Sequence, residues 1–201
     1  MIRSVVFDLG GVLIDWNPRY LYRKMFGGDE AAMEHFLAHV CNSPWNLAQD
    51  AGRSWAEAIE VLSAEHPQHR PLISAYRARW DEMLNGPIAE TVDILADLKS
   101  KSIPLYALTN WSSETFPIAR ERYEFLGWFR DIVVSGDEKL IKPDRRIYEL
   151  LLSRNGLAAA ESVFIDDAPK NVEGARAAGM AALHFQSPAR LRADLVSAGV
   201  L

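Results

Sequence analysis

Val5-Val6-Phe7-Asp8-Leu9-Gly10-Gly11-Val12-Leu13 is the stretch from which the rest of the chain can be read. Its apolar, β-branched opening predicts a fully buried strand, which stops at a carboxylate followed by two glycines that let backbone amides turn inward. Asp8 is thereby presented at a strand's carboxyl end. In an open parallel α/β sheet that rim is where ligands bind, because the loops leaving the strands form a crevice there. Taken alone, the stretch also fits an acidic residue closing a surface turn, so its meaning depends on the segments that follow.

Composition narrows the field. The 201 residues suit one domain of ordinary size carrying a sizeable insertion. Apolar residues at 49% and charged residues at 24% match globular proteins and exclude a disordered or fibrous chain. With 22 basic against 27 acidic residues, a formal charge of -5 and no block of Lys or Arg, nothing offers a nucleic-acid footprint. No apolar run approaches the roughly 18 residues that span a bilayer, and Met1-Ile2-Arg3-Ser4 runs into a strand without a cleavage site. The expectation is a cytoplasmic protein with no membrane partner. Cys41 is the single cysteine, which excludes an internal disulfide and a cysteine-based metal site, and it reads as a small buried apolar residue. Oligomeric state is not legible in the sequence.

From residue 15 to about 86 the pattern predicts helices and no strand. Asn17-Pro18 starts the first, which runs to Gly27-Gly28. A second begins at Asp29 and ends near Asn42-Ser43-Pro44, with Met33, Phe36, Leu37 and Val40 on one face. Ser54-Trp55-Ala56-Glu57 opens a third as a capping box, His66-Pro67 breaks it, and Pro71 opens a fourth that Asn85-Gly86-Pro87 closes. Asp15 reads as a turn or helix-start residue. After Ile88 the pattern changes to alternating helices and strands. Strands are expected at 103–108, 132–134, 162–165 and 180–185, with Ser112 or Ser113 capping one intervening helix and Gly127 ending it. This spacing implies right-handed βαβ crossovers. The expected fold is α/β: a doubly wound, three-layer parallel sheet built from residues 1–14 and 87–201, with an α-helical cap, residues 15–86, inserted after the first strand.

Parallel strands carry their loops to one rim, so Asp8, Thr109-Asn110, the loop before Lys142, and Asp166-Asp167 can converge. Their chemistry is complementary: Asp8 is a candidate nucleophile, Thr109 and Asn110 are neutral donors, Lys142 is a cation, and the Asp pair suits a hard, oxygen-ligated metal such as Mg²⁺. In this ordered set the chain resembles the haloacid dehalogenase-like hydrolase superfamily. The four motifs are matched by Asp8-Leu9-Gly10-Gly11-Val12, Leu108-Thr109-Asn110, Lys142-Pro143-Asp144, and Phe164-Ile165-Asp166-Asp167 with Asn171 beyond.

The resemblance implies a Mg²⁺-dependent phosphomonoester hydrolase in which Asp8 attacks phosphorus, forms an aspartyl-phosphate and is released by water. It places Mg²⁺ between Asp8, the Gly10 carbonyl and Asp167, with Asp166 as an orienting or alternate metal ligand. Lys142 and Thr109 would neutralise the transferring oxygens, and Asn110 would orient one of them. Trp111, which follows Asn110, is a candidate substrate contact on the pocket rim. The substrate is expected to be a small phosphorylated metabolite.

One position departs from the pattern. Gly10 stands where phosphatases of this superfamily usually carry a second Asp, the general acid and base, a function worth about 10²- to 10⁴-fold. An activated leaving group, as in a sugar 1-phosphate, would reduce the need for it. Two alternatives remain open: a metal-independent 2-haloacid dehalogenase, whose halide leaves without a proton, and a non-catalytic binding or regulatory protein that kept the fold.

Overall fold

In the computed structural model, which describes residues 1–201, the chain runs from β1 (Ser4–Phe7) and β2 (Ile14–Trp16) into five helices. These are α1 (Arg19–Met25), α2 (Glu30–His39), α3 (Ser43–Asp50), α4 (Trp55–Glu65) and α5 (Arg70–Ala78), and β3 (Leu84–Pro87) follows them. Then come α6 (Ala89–Ser100), β4 (Leu105–Thr109), α7 (Phe116–Arg122), β5 (Asp131–Val134), α8 (Ser135–Glu138) and α9 (Arg145–Asn155). β6 (Ser162–Asp166), α10 (Pro169–Ala177), β7 (Ala181–His184) and α11 (Pro188–Ser197) complete the chain.

Five of the strands form one parallel sheet in the order β5-β4-β1-β6-β7. β1 is central, with Phe7 in register with Ala107 of β4 on one side and Ile165 of β6 on the other. The chain therefore reverses its direction of travel across the sheet at β1, and open α/β sheets bind ligands beside such a switch point. Alternate side chains divide the core between the two faces. Val5, Phe7, Ala107 and Ile165 join Leu95 and Leu98 of α6 and Leu191 and Leu195 of α11. Val6, Leu108 and Phe164 join Ile147 and Leu151 of α9 and Val172 of α10. The expected three-layer architecture follows from this period of two.

Between β1 and β3 the structure departs from the helix-only expectation in two places. β2 and β3 pair antiparallel as a two-stranded ribbon, with Asp15 opposite Gly86. Three or four residues are too few to show a period, and Asn85-Gly86-Pro87 carries the chemistry of a turn, which hid the strand. Asp15 is not a turn residue: its Oδ2 accepts from Asn85 Nδ2 across the ribbon at 2.9 Å and from the Tyr20 hydroxyl at 2.8 Å. The second departure is α3. Asn42-Ser43-Pro44 ends α2, as expected, but also starts a new helix, because Asn42 Oδ1 accepts the Trp45 N–H at 2.9 Å and Pro44 sits in the first turn. Further along, α7 is shorter than expected and is not capped by Ser112 or Ser113. The Ser112 hydroxyl is instead engaged by Trp55 of α4, whose Nε1 donates to it at 3.0 Å.

Aromatic stacking organises the inserted helices, with Trp55 and Tyr76 at 5.4 Å and Tyr22 and Phe36 at 5.0 Å between ring centroids. Cys41 is buried among them, and burial pushes its thiol up to about 12, as suits an inert packing residue. No helix is long and apolar enough to cross a membrane.

The start of α8 packs against the loop after β4 with no space to spare. A Cβ on Gly136 would lie 2.5 Å from the Ser113 amide nitrogen and 2.8 Å from the Trp111 carbonyl oxygen, both backbone atoms. Gly136→Ala should therefore lower stability by about 1–3 kcal/mol, read as a shifted urea midpoint at unchanged slope.

Candidate active site

Asp8 follows β1 directly. Its N–H donates to the Ile165 carbonyl at 2.8 Å, which extends the pairing with β6 one residue past the last strand position. Its side chain is buried, and Oδ1 accepts from the Leu9 N–H at 2.7 Å and pairs with Lys142 Nζ at 2.9 Å. Lys142 is fully buried. Besides Asp8, its ammonium group reaches Asp166 Oδ2 at 2.7 Å and the Leu108 carbonyl at 2.9 Å, so three acceptors match its three N–H donors. Burial works against that charge, but Asp8 and Asp166 together outweigh it and hold the Lys142 pKa above the ordinary lysine value.

Asp166 ends β6, and both of its oxygens are engaged. Oδ1 accepts from the Ala168 N–H at 2.8 Å and Asn171 Nδ2 at 3.0 Å, while Oδ2 takes Lys142 and a second contact from Asn171 at 3.1 Å. Of the two roles expected for Asp166, this geometry fits orientation of Lys142. Asn110 is likewise turned to Lys142. Its Oδ1 accepts the Lys142 N–H at 2.8 Å and its Nδ2 donates to the Lys142 carbonyl at 3.1 Å, so the amide clamps the lysine backbone. Thr109, the last residue of β4, is buried at the same rim.

Asp167 is exposed beside Gly11. Gly11 adopts φ +74°, and a Cβ there would lie 2.5 Å from Asp167 Oδ2, so this glycine is required both by its backbone and by the close approach of the carboxylate. Carboxylate oxygens of Asp8, Asp166 and Asp167 all come within 4.8 Å of one another. Burial pushes Asp8 up to about 7, against the pull of Lys142 and with the charges of Asp166 and Asp167 adding to the rise. Partial shielding of its carboxyl beside Gly11, and then the charge of Asp166, raise Asp167 as well. Three carboxylates around one ammonium leave a surplus of negative charge, and a hard divalent cation with oxygen ligands is the partner that chemistry fits.

A cavity of about 70 Å³ opens on this rim. Gly10, Asn110 and Trp111 line it from the sheet side, and Trp16, Asn46 and Asp50 line it from the ribbon and α3. Trp111 packs against Trp80 and Phe116 at 5.4 and 5.8 Å between centroids, so its ring is a fixed wall. The indole N–H groups of Trp16 and Trp111 are buried without a protein partner. A second cavity of about 700 Å³ runs through the inserted helices, sharing Trp16, Asn46 and Asp50 and reaching Lys170 on α10.

The structure thus brings Asp8, Gly10, Gly11, Thr109, Asn110, Lys142, Asp166 and Asp167 to one rim. Sequence reasoning missed Asn46 and Asp50, both on the unrecognised helix α3. It named Asn171 without a role; the signal was its position one turn into the helix that follows the Asp pair.

An α/β fold with a carboxylate at the switch point, a buried lysine beside it and an acidic pair across the next strand defines a class of hydrolase. A model of the haloacid dehalogenase-like hydrolases matches residues 2–179, and the chain belongs to that family. It is 27% identical to a sesquiterpene phosphatase of Aspergillus oryzae, over 91% of this chain and 89% of that protein. A phosphoglycolate phosphatase of Photobacterium profundum is 25% identical over 88% of this chain and 80% of its own length. A solved enzyme of the family from Bacteroides thetaiotaomicron, in complex with magnesium and inorganic phosphate, superposes with a TM-score of 0.70. That match covers 92% of this chain and 95% of that one at 22% identity, and it shows a shared fold.

Lys142→Met would leave Asp8 and Asp166 facing each other without their cation. Removing one partner of a buried ion pair costs about 3–5 kcal/mol, so chemical denaturation in metal-free buffer should show a loss of that size.

Proposed function

We propose that the chain is a Mg²⁺-dependent phosphomonoester hydrolase that acts through an aspartyl-phosphate on Asp8, with a small phosphorylated metabolite as substrate. The observation that carries this reading is the charge balance at the rim: three carboxylates against a single ammonium. Asp8, Asp167 and the Gly10 carbonyl would hold the cation. When bound, it supplies positive charge that lets a dianionic phosphate approach a carboxylate. The phosphatases among the relatives support the same reading.

Asp8 is placed to attack. Its Oδ1 is held by Leu9 and Lys142, which fixes the plane of the carboxylate before substrate arrives. Lys142 contributes a fixed positive charge beside the attacking group, and Asp166 and Asn110 keep it there. Thr109 would donate to a phosphate oxygen, and Asn110 and Trp111 form the wall that substrate meets. The inserted residues 15–86 act in this reading as a cap over a core of residues 1–14 and 87–201, closing on the substrate and excluding water. Gly10 leaves two routes for the departing oxygen: an activated leaving group such as a sugar 1-phosphate, or a proton donor from elsewhere in the chain. A metal-independent dehalogenase has no use for the surplus carboxylates, which weighs against that alternative.

Chelation separates the readings. Release of phosphate from a panel of phosphorylated metabolites should fall to background in EDTA and return with Mg²⁺, and Asp8→Asn should lose on the order of 10⁴-fold or more. Chelator-insensitive release of halide from a 2-haloacid would reverse the assignment.

A further inference from the structure

A phosphate ester of an ordinary alcohol breaks readily only if a proton reaches the departing oxygen. Lys142 and Asp166, the two groups paired beside Asp8, have none to spare. The three hydrogens of Lys142 are committed to Asp8, Asp166 and Leu108, and the Asp166 oxygens are accepting from Lys142, Asn171 and Ala168. Gly10 leaves room rather than chemistry. A Cβ built on it meets nothing within 4 Å, and it forms one wall of the cavity of about 70 Å³.

Asp50 is another residue that lines that cavity. It is the last residue of α3, half-buried, and it is tied to the sheet although it belongs to the inserted helices. The Ser135 hydroxyl donates to the Asp50 carbonyl at 2.6 Å while accepting the Trp111 N–H at 2.9 Å, which links the end of α3 to the rims of β4 and β5. Gly52, at φ +100°, lets the turn after α3 lie against Gly136, and a Cβ on Gly52 would come 3.3 Å from the Gly136 carbonyl. The side chain is oriented too, since Asn46 Nδ2 donates to Asp50 Oδ2 at 3.2 Å one helical turn earlier.

The geometry points to Asp50 as the catalytic acid of the reaction proposed above, delivering its proton through the space that Gly10 leaves open. The assignment rests on the phosphatase reading. As the Asp8 carboxylate bonds to phosphorus, the ester P–O bond breaks, its electron pair passes to the departing oxygen, and that oxygen takes the proton from Asp50. The Asp50 carboxylate then accepts a proton from the water that attacks phosphorus, which frees phosphate and Asp8 and returns Asp50 to its starting form. Burial pushes the Asp50 carboxyl up to about 7, against the Ser112 backbone amide and the Lys142 charge, so both forms are populated near neutral pH. A donor in this place lets the site hydrolyse esters of unactivated alcohols.

The test compares phenyl phosphate, which needs the proton, with para-nitrophenyl phosphate, whose phenolate leaves without it. Asp50→Asn should lose about 10²- to 10⁴-fold in kcat/KM on the first and less than about tenfold on the second. Activity retained on the second also reports that the variant folds. Gly10 does not adopt a positive φ, so adding Gly10→Asp places a carboxyl in the same cavity without backbone strain and should recover at least about tenfold on phenyl phosphate. Equal losses on the two esters, no loss on either, or a split that Gly10→Asp does not relieve would overturn the assignment. A wild type inert toward both esters sinks the phosphatase reading and this one with it. Wild-type turnover that Asp8→Asn abolishes keeps the former standing whatever Asp50→Asn does.

Discussion

The buried ammonium group of Lys142 is the constraint to which the rest of the rim is fitted. Removing a charge of that size from water costs several kcal/mol, and only close, well-directed partners offset it. Its partners come from three adjacent strands: Asp8 after β1, the Leu108 carbonyl of β4, and Asp166 of β6. The order β4-β1-β6 is what brings those groups to one point, so sheet topology and site electrostatics are a single arrangement. Asn110 and Asn171 form the next layer, one holding the lysine backbone and the other the carboxylate of Asp166. Asp8 gains a fixed orientation from this, and the cluster keeps the surplus of negative charge on which cation binding depends.

Most of this frame was legible in the residues. The apolar runs ending at Asp8, Thr109 and Asp166 read as strands because fully buried parallel strands leave a continuous hydrophobic signal. Each run stops at the polar residue that reaches the rim. Side-chain pairing was not legible. Asn110 clamps the backbone of Lys142, a partnership across more than thirty positions that no local pattern announces. Asp166 and Asp167 are neighbours in sequence with opposite environments, one fully buried and the other exposed, because successive residues leaving a strand point to opposite sides.

The misread segment mattered more than its length suggests. Asn42-Ser43-Pro44 has the residues of a helix stop, and the same asparagine that closes one helix caps the next. Overlooking α3 removed from view the residues that approach the site from above, Asn46 and Asp50. Asp50 also gives no sign in sequence of being shielded. Ser135, which fixes the main-chain carbonyl of Asp50, and Lys142, whose charge acts on its carboxyl, lie far along the chain and come near it only through the fold.

The ribbon of β2 and β3 has a consequence for the architecture as a whole. Paired strands lie about 4.8 Å apart, so the two ends of the helical insertion are held almost together where they join the sheet. To the parallel strands, everything between those ends is a closed loop. Doubling the length of such a loop costs only about 0.6 kcal/mol in closure entropy. A different set of helices with ends equally close could be grafted at the same two positions without disturbing the lysine beneath, which makes the helices between β2 and β3 exchangeable and the buried ion cluster permanent.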